Sequence, residues 1–67
     1  GKITEKERLL WEYVLSAYGT EEFTTKQLEK DFRNAAYATI RTFVMKFHEM
    51  GLLAARKAGN RVYYKVR

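Results

Sequence analysis

Eight of the chain's thirteen lysines and arginines fall in residues 33–67, where Glu49 is the only carboxylate. Two of them, Arg41 and Lys46, lie in a stretch with helical periodicity. Three more, Arg56, Lys57 and Arg61, gather with Asn60 around Gly59. Grouped cations of this kind bind polyanions, and a cationic tip on a glycine turn can follow a phosphate backbone. Residues 1–32 carry five basic and seven acidic side chains. The net charge of +5 therefore conceals two halves of opposite sign. Such asymmetry points to one face built for an anionic partner. The competing reading is an ordinary solubilising surface.

Catalytic chemistry has little to work with. His48 is the only histidine and there is no cysteine. A zinc site of the usual ligand types cannot be assembled from that set, and no disulfide can form. The carboxylates sit mostly in the first helix and the loop after it, at capping or surface positions. Ser16 has no evident base, and no glycine-rich phosphate loop is present. No enzyme, cofactor or metal is expected.

Sixty-seven residues, 46% hydrophobic and 31% charged, make one globular domain spanning 1–67, with too little core for a deep substrate cavity. No apolar run approaches the roughly 18 residues of a membrane span, so no membrane partner is expected. The apolar residues near the start are broken by charges, unlike a signal peptide. With no cysteine, this suggests a cytoplasmic, nucleoid-associated protein. The opening Gly-Lys is expected of a segment taken from a longer chain.

These groups must be positioned by a few short elements. Thr4 and Glu7 have capping-box spacing, which starts a helix running from Thr4 to Tyr18. Leu10, Tyr13, Val14 and Ala17 mark its core stripe, and Gly19 ends it. Thr24 and Gln27 repeat the pattern, with Phe23 and Leu28 at the staple positions, predicting a second helix over Thr25–Phe32. The piece Glu22–Thr24 is a candidate edge strand. Asn34 is the expected N-cap of a third helix, Ala35–Met50. Its core side is Ala36, Ile40, Phe43, Val44, Phe47 and Met50. Gly51 then stops the helix, with Leu52 as its apolar partner. Leu52–Lys57 and Arg61–Val66 read as two strands joined by Ala58-Gly59-Asn60. In the second, Val62, Tyr64 and Val66 alternate with Arg61, Tyr63 and Lys65.

The order helix, extended piece, helix, tight turn, helix, hairpin carries recognisable residues. These are Thr24-Thr25-Lys26-Gln27-Leu28, Tyr37-Ala38-Thr39-Ile40-Arg41, Glu49-Met50-Gly51-Leu52-Leu53 and Gly59-Asn60-Arg61-Val62-Tyr63-Tyr64. From Phe23 to Val66 the chain resembles winged helix-turn-helix domains of the ArsR/MarR-like regulators. It is also similar to winged-helix modules appended to larger proteins such as Fic-type AMP-transferases. The resemblance implies an α+β fold, a three-helix core with a C-terminal β-hairpin wing. It also implies duplex DNA as partner, with helix 3 in the major groove and the wing on the backbone or minor groove.

The residues can be set against that implication. Opposite its core stripe, helix 3 presents Ala35, Ala38, Thr42 and Met45, with Arg41 on one flank and Thr39 and Lys46 on the other. Small residues allow close approach, alanine and threonine methyls suit thymine methyls, and Arg41 can pair with guanine O6 and N7. Lys26, Lys46, Thr39 and Asn34 at the helix start suit phosphates, as do Arg56, Lys57, Asn60 and Arg61 on the wing. Glu49, outward in the last turn, runs against this pattern.

Helix 1 carries a second apolar stripe, Trp11, Leu15 and Tyr18. It is either wedged between helix 2 and the hairpin or free to dock a second copy or another domain of the parent protein. A protein-interaction module is thus the alternative to DNA binding, since fold does not fix function. RNA or single-stranded DNA is a third possibility, for which only Tyr37 and Tyr63 offer stacking platforms.

Overall fold

The computed structural model describes residues 3–33 and 35–67. Three helices, α1 (Glu5–Tyr18), α2 (Thr25–Asp31) and α3 (Tyr37–Glu49), precede two strands, β1 (Leu53–Ala58) and β2 (Arg61–Val66). The strands form an antiparallel hairpin, giving a small α+β architecture. Among the described residues no helix is long and apolar enough to cross a membrane.

Local chemistry sets the helix ends. The Thr4 hydroxyl accepts the Glu7 N–H at 3.1 Å, and the Glu7 carboxylate accepts the Thr4 N–H at 2.8 Å. This reciprocal box satisfies two otherwise orphan donors. Thr24 caps α2 with its hydroxyl alone, accepting the Gln27 N–H at 3.0 Å, so only half of the expected box is made. At the end of α3, Gly51 takes φ +81°. Its N–H reaches the His48 carbonyl, while the Leu52 N–H reaches that of Phe47, both at 3.0 Å. This pair of bonds is a Schellman closure, and glycine supplies the left-handed residue.

The start of α3 departs from expectation. Ala36 stands at the N-cap and supplies no side-chain hydrogen bond. The helix therefore begins at Tyr37 rather than Ala35. Asn34 itself lies outside the described residues. Helix α2 ends one residue early, with Phe32 as its C-cap.

The core is Leu10, Val14 and Tyr18 of α1, Phe23, Leu28 of α2, Ile40, Phe43, Val44 and Phe47 of α3, and Leu53 of β1. The α1 stripe follows every fourth residue, and Ala17, off that line, is exposed. On α3, Ala36 and Met50 are exposed because both serve as caps rather than interior residues. Aromatic stacking links the elements. Trp11 lies on Phe47 with centroids 5.0 Å apart and planes within 9°. Tyr18 lies on Phe23 at 4.8 Å.

The expected edge strand at Glu22–Thr24 does not form. A single bridge pairs Phe23 with Tyr64 through two backbone hydrogen bonds of 2.8 Å. The chain cannot extend this pairing because Thr24 is already the cap of α2 and Glu21 closes a turn onto the Tyr18 carbonyl. In the hairpin, β1 begins one residue late because Leu52 is still closing α3. Ala58 pairs with Arg61, which leaves a two-residue loop, Gly59-Asn60. Gly59 has φ +61° and Asn60 does not share the positive value. Glycine at the first loop position fits a type II′ turn, whose twist matches the strands.

Candidate functional site

The inward pairs of the hairpin are Leu53 with Val66, Ala55 with Tyr64, and Lys57 with Val62. The first is packed into the core, whereas Val62, near the tip, is 36% exposed. The hairpin thus outruns the core, and its tip forms one wall of an open groove. The other wall is α3, which turns Tyr37, Arg41 and Met45 toward it. Their spacing of four residues puts them on one ridge of the helix. Thr24, Thr25 and Lys26, where α2 begins, close one side, and Asn60, Arg61, Val62 and Tyr64 complete the lining. The groove has a volume of about 800 Å³.

Three cationic residues from three elements are among its lining: Lys26 from α2, Arg41 from α3 and Arg61 from β2, the last on the strand face opposite Val62 and Tyr64. No carboxylate among the described residues lines the groove. These three side chains, and Lys57 beside them at the hairpin tip, have no ion-pair partner among the described residues.

Two expected contributors are engaged elsewhere. The Lys46 ammonium donates to both Glu7 oxygens, at 2.9 and 3.2 Å. It thereby ties α3 to the capping box of α1. The Glu7 carboxyl is held below its ordinary pKa, chiefly by the Thr4 backbone N–H and then by Lys46. The Arg56 guanidinium makes a two-pronged bond to Glu22, both arms 2.8 Å. It also lies over the Tyr63 ring, 4.8 Å from the centroid. The Glu22 carboxyl is lowered and Arg56 raised, each mainly by hydrogen bonding to the other. Register puts Arg56 and Tyr63 on the face of the hairpin away from the core. The residue after Glu22 is Phe23, so the clamp adjoins the Phe23–Tyr64 bridge and holds the hairpin to the body.

The remaining expected residues divide. Ala38, Thr39 and Thr42 are exposed on α3 but do not line the groove. The Thr42 hydroxyl donates to the Ala38 carbonyl at 2.9 Å, so as a donor it is occupied. Asn34 lies outside the described residues. Glu49 ends α3, exposed and outside the groove. Sequence reasoning missed Thr24, Thr25, Val62 and Tyr64 as lining residues, and placed Tyr37 only as a stacking platform. The spacing Tyr37–Arg41–Met45 was the available signal. Reading it required knowing which flank of α3 the hairpin approaches.

No family model, curated protein or solved structure matches the chain. The site's chemistry therefore rests on its own residues. Among the described residues no cluster of His, Cys, Asp and Glu could hold a metal. His48 is exposed and meets the Tyr64 ring edge-on at 6.2 Å.

The second stripe of α1 is not a continuous surface. Tyr18 is buried and its hydroxyl donates to Asp31 at 2.9 Å. Trp11 is half-buried on Phe47, and only Leu15 of the three is exposed. The more open apolar region of α1 is a shallow hollow around Leu9, Tyr13 and Phe32.

Proposed function

We propose that this chain is a winged-helix module that binds double-stranded DNA and serves in transcriptional regulation at the nucleoid. The exposed side of α3 enters the major groove, and the hairpin acts as the wing on the phosphate backbone or minor groove. The observation that carries this reading is that Lys26, Arg41 and Arg61, from three elements, all line one groove whose described lining holds no carboxylate. A duplex presents regularly spaced phosphates that three cations from three elements can contact together, and such contacts fix register and orientation. Ala38, Thr39 and Thr42 add a small-residue surface on α3 that tolerates close approach to base edges.

The assignment of roles differs from what the sequence suggests. Lys26, Arg41, Lys57 and Arg61 are the phosphate-facing set. Lys46 and Arg56 hold the elements that present them. Fluorescence anisotropy with a mixed-sequence duplex at about 50 and 200 mM salt tests this reading. Four phosphate contacts predict a loss of roughly a hundredfold in affinity across that range. Absence of binding at the lower salt would overturn it. The hollow around Leu9, Tyr13 and Phe32, with Leu9 50% exposed, supports a second reading, a protein-interaction module using α1.

A further inference from the structure

Two large apolar side chains are left in water beside the cations. Met45 is 52% exposed and Val62 36% exposed, and both line the groove that Arg41 enters. One comes from α3 and the other from β2, so they are not a chance run on one element. Single exposed apolar residues need no explanation. Two from separate elements lining one groove with its cations give that groove an apolar component as well as charge.

Phosphates give such a component nothing to contact. In the major groove of DNA the apolar group on offer is the thymine C5-methyl. Met45 lies one turn beyond Arg41, so the two project from the same ridge of α3. The unbranched thioether of methionine reaches far and adapts its shape to a small apolar partner.

We infer that Met45, with Val62 beside it, is a specificity residue that recognises thymine methyl groups and biases the domain toward thymine-containing duplex. This rests on the DNA-binding reading above. Arg41 and its fellow cations supply charge contacts that are insensitive to the base, whereas Met45 supplies an apolar contact that salt does not screen.

The test compares one A·T-rich duplex with the same duplex carrying uracil at every thymine, which removes only the methyl groups. Affinities are measured by anisotropy for wild type, Met45→Gln and Met45→Leu. Because Met45 is exposed, neither variant threatens folding. Wild type should bind the thymine duplex about fourfold more tightly for each methyl group buried. Met45→Gln should abolish that preference and keep the salt dependence, and Met45→Leu should retain the preference. Equal binding of both duplexes by wild type would overturn the inference while leaving DNA binding intact. A preference that survives in Met45→Gln would also overturn it. Failure of wild type to bind either duplex at low salt would remove the DNA-binding reading and this inference with it.

Discussion

Arg56 and Lys57 are neighbours in sequence with opposite prospects. Arg56 is spanned by Glu22 and stacked on Tyr63, whereas Lys57 projects at the hairpin tip without an ion-pair partner among the described residues. Lys57→Ala should therefore weaken binding to all duplexes alike and reduce the salt slope by about one contact. Arg56→Ala should act first on stability, read as a lower melting temperature. Glu22 and Glu7 extend the same logic to pH. Each carboxyl has a folded pKa below its ordinary 4.5. A depressed folded pKa adds stability that is present above the unfolded value and lost as pH falls through the folded one. Thermal stability should thus decline as pH drops below about 4.5, and Glu7→Gln with Glu22→Gln should flatten that decline. A decline unchanged in the double variant would dissociate these pairs from acid stability.

At the scale of elements, the ends of the helices are the informative places. Both capping threonines and the Gly51 closure were legible, because each depends on residues three to five apart. The start of α3 was not, because asparagine is the better intrinsic cap and yet Ala36 occupies the position. That choice leaves the first turn of α3 without a side-chain acceptor from its cap. Ala36→Ser should raise stability by about 1 kcal/mol, measured by denaturant unfolding. Ala36→Asp should stabilise similarly but, on the proposed DNA reading, weaken duplex binding by adding a negative charge to the start of α3. The hairpin register was legible from alternation, whereas the shrinkage of the edge strand to one bridge was not. It follows from competition: Thr24 cannot both continue a strand and cap α2. Val62 illustrates the same limit. Alternation assigns it to the inward face, but only the distance from the core decides that it stays exposed.

For the whole molecule, the charge asymmetry of the sequence foretold a cationic side but not its membership. Two of the expected cations, Lys46 and Arg56, are paired to acidic residues far away in the chain, Glu7 and Glu22. No local pattern encodes such pairs. They also tie α3 to α1 and the hairpin to the loop before α2. With a core of this size, total stability is of the order of 3–10 kcal/mol. Phe47→Ala, which removes the ring shared by Trp11 and Phe43, should cost about 3–5 kcal/mol, a large share of that total, read as a sharply lowered melting temperature by circular dichroism. The central claim is that the groove between α3 and the hairpin is the surface that meets DNA. The most direct measurement is an amide chemical-shift titration with a mixed-sequence duplex at low salt. Perturbations should gather at residues 24–26, along Tyr37–Met45 and across residues 57–62, leaving the outer side of α1 unchanged. Perturbations confined to α1 around Leu9 and Tyr13, or none at all, would contradict the account.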